Sequence, residues 1–322
     1  MQEPLLSIQQ LNITLRQEKT TRALTKDVSF DVQAGEIHCL VGESGCGKSI
    51  TALSILRLLP PQVQAASGAI LFQGQNLLSL SEKELDGIRG KGVGMVYQDV
   101  LNSLNPVLPI GLQMVEGMHK HLATPRKEAK ERALQLLRRT GVSQPEKRMH
   151  QFPHQLSGGM RQRVIIAMAL TMEPKLLIAD EPTTALDVTI QLQVMGLLKS
   201  LRNETGMAIL LITHDLGLVA EVADRVTVMY AGECVESGSA IQVLQHPTHP
   251  YTQALLQAIP YLRKPSQRLT AIPGSVPVDY GTLSGCRFAP RCPHAAECTQ
   301  NPQWHDLAEG HQVYCIRPEV KA

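Results

Sequence analysis

The sequence predicts an α/β fold with a mostly parallel core sheet, and three observations carry that prediction. Compact apolar runs recur at 37–41, 93–97, 176–179, 208–212 and 226–229, and runs this apolar suit strands buried on both faces. Helical patterns separate them, the order expected of a parallel sheet. The first run ends in a glycine-rich turn, residues 42–49, followed by a helical pattern over 49–59.

The other elements follow in chain order. Residues 5–15 and 28–32 alternate apolar and polar side chains, which predicts an antiparallel β subdomain with one solvated face. From about 100 to 170 the character is helical. Ala129, Ala133, Leu136 and Leu137 recur at three-to-four spacing within 126–140, one apolar face of a helix, so this stretch reads as a helical insertion. After about Gly238 the sheet pattern stops. A short helix is expected at 251–259, then a proline- and glycine-bearing stretch to Gly285, then a tail from Cys286 that holds four of the seven cysteines. Two domains are expected from 322 residues: 1–238, and a small C-terminal extension, 239–322.

Composition excludes several function classes. Lys and Arg exceed Asp and Glu by only 31 to 29, which argues against a basic nucleic-acid binder. One Trp, six Tyr and four Phe are too few for base-stacking modules. Seven cysteines in so long a chain do not form a secreted disulfide framework. Residues 1–10 carry no basic and apolar leader, and the apolar runs 164–170 and 207–212 fall short of the ~18–20 residues that cross a bilayer. The expectation is a cytosolic chain that reaches a membrane by docking on another protein.

Gly42-Glu43-Ser44-Gly45-Cys46-Gly47-Lys48-Ser49 fits G-x-x-x-x-G-K-[ST] in the strand–loop–helix setting this motif requires. Its glycines let successive N–H groups, through Ile50, turn toward phosphate oxygens, and the helix N-terminus adds positive charge. Lys48 is expected on the β- and γ-phosphates and the Ser49 hydroxyl on Mg²⁺. The run at 176–179 ends in Asp180 and Glu181. Asp180 suits the metal, and Glu181 suits the water that hydrolysis activates. Leu156-Ser157-Gly158-Gly159-Met160-Arg161-Gln162 opens a helix pattern over 162–172. Its hydroxyl and exposed N–H groups read either as a second phosphate cradle, serving a nucleotide held by another subunit, or as a plain N-cap.

LSGGMRQ between a phosphate loop and an LLIADE strand resembles the nucleotide-binding subunit of an ABC transporter, over essentially the whole chain. The resemblance implies an ABC-type P-loop ATPase that binds ATP with Mg²⁺. Gln98, in VYQD, then resembles the glutamine loop, a further contact for nucleotide and Mg²⁺. Asp187, after Ala185 and Leu186, resembles the loop that crosses the dimer interface. His214, in LLITHD, resembles the switch histidine at the γ-phosphate. Ser157, Gly158, Gly159 and Gln162 belong to the signature that closes on a second subunit's ATP. Two such subunits meet head to tail. The second one is a homologue or another copy. They work with two membrane permeases and an external solute-binding protein, on the cytoplasmic face of the cell membrane and without nucleic acid. The family usually stacks adenine on an N-terminal aromatic. No aromatic precedes Phe30, which leaves Arg16 or Arg22 to cover the base.

His246-Pro247-Thr248-His249-Pro250-Tyr251-Thr252 resembles the HPY segment of oligopeptide- and dipeptide-importer ATPases, which nickel importers share. Locally it reads as a linker before a helix capped near Thr248 or Tyr251. Cys286, Cys292, Cys298 and Cys315 follow, in a tail whose CRFAPRCP resembles cluster-bearing dipeptide-importer ATPases. Three readings stand: a [4Fe-4S] cluster, zinc with His294 or His311 as substitute ligand, or reduced thiols. Cys39 and Cys234 read as core. Cys46 gives the loop its backbone, and its thiol, near a helix N-terminus, is expected to be acidified and modifiable. The leading expectation is a peptide-importer ATPase. A nickel or other small-solute importer ATPase, a soluble ABC ATPase acting on ribosomes or DNA, and an iron–sulfur redox protein are the alternatives.

Overall fold

The structure is a computed structural model that describes residues 3–17, 20–99, 103–183, 186–258, 272–277, 279–298 and 300–315. The chain divides into two compact units, one made of 1–80 with 211–322 and the other of 81–210. The first unit opens with the alternating segments. β1 (Leu6–Arg16) pairs antiparallel with β2 (Thr21–Ala23) and β3 (Val28–Val32). Leu6, Ile8, Leu11 and Ile13 of β1 are buried with Val28 and Val32 of β3. β4 (Ile37–Val41) is buried throughout and feeds α1 (Lys48–Ile55). β5 (Val63–Phe72) returns along β1, and β6 (Gln75–Asn76) closes this sheet.

The second unit begins with α2 (Glu82–Ile88), whose N-cap Ser81 and Glu84 form a reciprocal capping box. β7 (Val93–Val96) pairs in parallel with β8 (Leu176–Asp180). Between them lie α3 (Ile110–Leu122), α4 (Arg126–Arg139), α5 (Pro145–Arg148) and α6 (Gly158–Ala169), the insertion expected at about 100–170. Residues 100–102, at its start, lie outside the described residues. α4 buries Ala129, Ala133, Leu136 and Leu137, the face its spacing marked out, and α3, α4 and α6 pack on one another. α7 (Val188–Thr205) follows. β9 (Ala208–Thr213) then carries the chain back into the first unit.

There, α8 (Leu216–Val222) leads to β10 (Arg225–Tyr230), parallel to β4, and β11 (Glu233–Ser239) turns back antiparallel on β10. α9 (Ala240–Gln245) and α10 (Pro250–Gln257) follow. Residue 259, the expected end of the last helix, lies outside the described residues. The sheet does not end near Gly238. β12 (Gln303–Ala308) and β13 (His311–Cys315) form a hairpin that pairs through β13 with β11. Its two-residue turn places Glu309 and Gly310 at φ 45° and 78°, both positive as a type I′ turn requires. The strand pattern is weak in sequence because β12 is a mostly exposed edge whose three polar and three apolar residues do not alternate strictly.

Two buried polar groups join the C-terminal segments to this unit. The Glu236 carboxylate, fully buried in β11, accepts the N–H groups of Thr248 (2.8 Å) and His249 (3.0 Å) and is 2.8 Å from His311 Nε2. His249 is itself the N-cap of α10. Its Nδ1 accepts the Tyr251 N–H at 3.1 Å, and Pro250 occupies the first turn. An acceptor Nδ1 requires a neutral ring, and burial holds His249 down to about 3, from an ordinary 6.5. Between those two values the unfolded chain binds a proton that the folded chain refuses, so this group's contribution to stability falls as pH drops below about 6.5. In His249→Asn, which keeps a capping acceptor without titrating, the pH slope of unfolding free energy between pH 4 and 6 is expected to shrink by about one proton, ~1.4 kcal/mol per pH unit. Urea unfolding series at several pH values measure it, and an unchanged slope contradicts the neutral cap.

Candidate functional site

In the first unit the turn between β4 and α1 is shaped by glycine. Gly42 and Gly47 sit at φ 152° and 104°. A Cβ on Gly42 would lie 2.2 Å from the Met229 carbonyl oxygen, and one on Gly47 would lie 3.2 Å from Thr25 Cγ2. Only glycine fits both the conformation and the space. Gly47 is the N-cap of α1 and supplies no side-chain cap, which leaves the helix start to an anion. Lys48 is 4% exposed, and its Nζ donates to the carbonyls of Gly42 (2.8 Å) and Glu43 (2.9 Å). A buried ammonium is thus held over the same turn. Ser49 stands in the first turn of α1. His214 and Asp215 follow β9 in this unit. The Asp215 side chain caps α8 through Gly217 N (2.9 Å) and Leu218 N (3.3 Å), and His214 is exposed.

In the second unit the parallel register pairs Val96 with Ala179, so Gln98 and Glu181, each two residues on, leave the sheet at the same level. Gln98 Nε2 donates to Glu181 Oε2 at 2.9 Å. Asp180 is 4% exposed at the end of β8. Glu181 has φ 44°, a left-handed conformation that costs a non-glycine residue about 1–2 kcal/mol. Ser157 is the N-cap of α6, accepting the Met160 N–H at 3.4 Å, and Asp187 is the N-cap of α7, accepting the Ile190 N–H at 3.0 Å. Gly158 and Gly159 form the first turn of α6, where a Cβ on Gly159 would press on Ile190 at 3.1 Å. Gln162 is fully buried, and neither of its amide atoms finds a hydrogen-bond partner among the described residues. Ala185, the residue two before Asp187, lies outside the described residues.

Three expectations change. Cys46 is fully buried, and burial pushes its thiol up, outweighing the lowering influence of Lys48. The helix N-terminus does not acidify it, because desolvation of the thiolate dominates. Arg22 faces the C-terminal extension, its guanidinium 5.6 Å over the Tyr280 ring and 3.8 Å from Asp279. Among the described residues no group of three or more His, Cys, Asp or Glu side chains is gathered to hold a metal ion, so the four-thiolate reading of Cys286, Cys292, Cys298 and Cys315 gains no support from the structure. Cys298 donates its thiol proton to the His294 carbonyl at 3.4 Å, and Cys315 is buried in β13. Burial, with Cys315 and Cys292 nearby, pushes Cys286 up to about 11.

Sequence reasoning also missed two contacts on the glycine-rich turn. The Tyr251 hydroxyl accepts the Glu43 N–H at 2.9 Å, and Arg291 forks onto the Glu43 carboxylate at 2.7 and 3.1 Å. The HPY segment and CRFAPRCP marked these stretches, but by their histidine, proline and cysteines. The buried Cys46 gives a direct test. In the native chain at pH 7.5, iodoacetamide is expected to leave Cys46 unmodified with or without ATP, while the half-buried Cys292 and Cys298 react. Peptide mass spectrometry reads the sites, and labelling of Cys46 at a free-thiol rate contradicts its burial.

Residues 25–184 match the ABC transporter family, and residues 235–298 match the oligopeptide/dipeptide transporter C-terminal region. A probable peptide ABC transporter ATP-binding protein of Sinorhizobium fredii, y4tR, is 50% identical over 94% of this chain and 91% of its own length. The dipeptide transport ATP-binding protein DppD of Bacillus subtilis is 47% identical over 99% and 96%. The oligopeptide transport ATP-binding protein OppD of the same organism is 46% identical over 98% and 90%. Among solved structures, the dimeric bacterial ABC transporter cassette MJ0796 superposes with a TM-score of 0.66 at 28% identity, covering 73% of this chain and 98% of that one. CbiO1 of Clostridium perfringens, part of the ABC transporter complex cbiONQ, gives 0.66 at 29% identity, covering 76% and 92%. The phosphate loop, the carboxylates ending β8 and the C-terminal region thus meet in one lineage, and the chain belongs to the ABC transporter family of ATP-binding proteins.

Proposed function

We propose that this chain is the ATP-binding and ATP-hydrolysing subunit that energises import of di- or oligopeptides by an ABC transporter. The observation that carries the hydrolytic part is the Gln98–Glu181 hydrogen bond at the end of β8, in a chain that also holds a complete phosphate loop. The peptide-transport names of relatives at 46–50% identity along nearly the whole chain support the cargo class.

Each residue's part follows from its chemistry or, for His214 and Asp187, from the family resemblance. Lys48 and the N–H groups from Gly45 to Ile50 bind the phosphates. Glu181 aligns the attacking water and takes its proton, and the Gln98 amide fixes that carboxylate in place. His214 contacts the γ-phosphate. Ser157, Gly158 and Gly159 face the ATP of a second ATPase subunit, with Asp187 at the interface between the two. Ser49, Asp180 and Gln98 each offer a side-chain oxygen of the kind Mg²⁺ takes and would be the residues to hold the ion, which would supply neutralisation of phosphate charge. Among the described residues no ligand set is gathered for a four-thiolate cluster, and no step passes through one.

Among the described residues no helix is long and apolar enough to cross a membrane, so passage of the solute falls to separate permease subunits, fed by an external solute-binding protein. Tyr97, Val107 and Leu112 expose apolar surface in the second unit, next in sequence to Gln98 or in the helical insertion that follows. That is where a permease contact would reach the hydrolytic residues. The HPY segment, residues 246–252, favours the peptide and nickel branch over ABC ATPases that act on ribosomes or DNA.

Glu181→Gln keeps the shape of the side chain and removes the base. It is expected to lower steady-state ATP hydrolysis by about 10²–10⁴-fold while ATP still binds. Lys48→Ala is expected to lose binding itself. Cells carrying Glu181→Gln as their only copy are expected to stop accumulating a radiolabelled dipeptide, and undiminished uptake would overturn the import reading.

A further inference from the structure

We infer that the C-terminal extension braces the phosphate loop through Glu43, and that Arg291 and Tyr251 are positioning residues for nucleotide binding. The inference rests on the reading of residues 42–49 as the phosphate site. Glu43 is the second residue of that loop, and the extension holds it at two points. Its backbone N–H is accepted by the Tyr251 hydroxyl at 2.9 Å, and its carboxylate takes both terminal nitrogens of Arg291, at 2.7 and 3.1 Å. The contacts span 208 and 248 residues of sequence, and all three residues belong to the first compact unit.

The pair is not an ordinary surface ion pair, which contributes little. The Arg291 side chain is 4% exposed. Its guanidinium is fixed by its other contacts: Nε donates to the Pro273 carbonyl at 2.7 Å, Nη2 reaches the Gly274 carbonyl at 3.4 Å, and the group lies 5.7 Å from the centre of the Tyr230 ring. The Glu43 carboxylate holds this guanidinium in its charged form. A planar fork locked at each nitrogen fixes both the place and the angle of the carboxylate it grips, which a lysine does not do.

The backing is equally built. Tyr251 is fully buried, in contact with Tyr230 (ring centres 4.6 Å apart) and Phe288 (5.3 Å), and Tyr230 meets Phe288 edge-on at 5.1 Å. The chain has eleven Phe, Tyr and Trp residues (four, six and one), and three of them form this knot behind one loop. The neutral cap His249, 5.8 Å from Phe288, starts the helix that carries Tyr251. The brace therefore runs from cap to helix to hydroxyl, and from the Cys286–Cys292 segment through Arg291 to the same residue. Gly42 and the carbonyls of Gly42 and Glu43, which hold Lys48, adjoin the braced position. Losing the brace frees the stretch of loop on which the Lys48 ammonium is seated.

The test is a double-mutant cycle on the full-length chain, reading the dissociation constant of a fluorescent ATP analogue and, separately, the melting temperature. Arg291→Ala is expected to weaken ATP binding about tenfold, Arg291→Lys less, and Tyr251→Phe several-fold. Glu43→Ala should weaken it as Arg291→Ala does, and adding Arg291→Ala to Glu43→Ala should change nothing further, because the arginine acts through that carboxylate. Wild-type affinity in both Arg291→Lys and Tyr251→Phe overturns the brace, as does an additive double mutant. These two mild variants keep the test decisive if Arg291→Ala fails to fold. A wild-type chain that does not bind the analogue, or a Lys48→Ala chain that binds it normally, overturns the phosphate-site reading instead.

Discussion

A phosphate loop reserves its backbone donors for an anion and so cannot use them to hold its own shape. Everything around residues 42–49 answers that constraint. The loop is held by groups that do not compete for its inward N–H groups. Lys48 binds two carbonyls on one side, and the Gly232 N–H donates to the Cys46 carbonyl at 2.9 Å. Thr51 Oγ1 donates to the Gly47 carbonyl at 2.9 Å. Three positive-φ glycines, Gly42, Gly45 and Gly47, make the curl, and the close approach of Met229 leaves no room for a side chain at the first. The Glu43 N–H goes to a tyrosine of the extension, and the Cys46 N–H turns to the Glu43 carbonyl at 3.4 Å. Charge balance shows the same economy: the buried ammonium is met by neutral carbonyls and the one acidic side chain of the loop by an arginine from outside it.

The second unit solves a different problem, which is how to aim a carboxylate. Parallel pairing of β7 with β8 leaves no freedom in which residues emerge together, since a slip of one residue would turn every side chain to the opposite face. With Val96 opposite Ala179, Gln98 and Glu181 come off at one level and their side chains meet. The left-handed backbone at Glu181 marks a site where geometry is held against a local preference. Such positions persist only where the surroundings over-determine them. Here the buried strand before Glu181, Pro182 after it and the Gln98 amide beside it supply that determination.

Much of this was legible in the sequence, because the features that place the site are local. The apolar runs became β4, β7, β8, β9 and β10 within a residue or two, and the buried face of α4 is the one its spacing gave. The glycine pattern of the loop requires its backbone conformation. What escaped was non-local or dominated by burial. The β12–β13 hairpin ends in an exposed edge strand without strict alternation, and its only strong signal was the glycine of its turn. The behaviour of the Cys46 thiol was read from a helix terminus when desolvation decides it. Four thiols close in sequence and the CRFAPRCP resemblance suggested a metal for the tail, but neither carries a direction for the side chains, and the Cys298 thiol points to a carbonyl. The HPY segment reads as a linker until its histidine is seen capping the helix that brings Tyr251 under Glu43.

The two N-caps of the second unit set the energetics of any contact made by the LSGGMRQ segment. The Ser157 hydroxyl accepts the Met160 N–H through one lone pair, at 3.4 Å, and a hydroxyl that accepts can still donate its own proton to a partner's phosphate. A charge-assisted bond of that kind would add to the cap, which is worth about 1 kcal/mol, rather than replace it. The N–H groups at the start of α6 would face the same anion. Asp187 is placed oppositely. Its carboxylate caps α7 at 3.0 Å, and a negative group beside a partner's phosphate would be repelled, so it has every reason to remain a cap. The plain N-cap and the phosphate cradle are therefore not rival descriptions of residues 157–159. One hydroxyl can serve as both, accepting from the helix and donating to the anion.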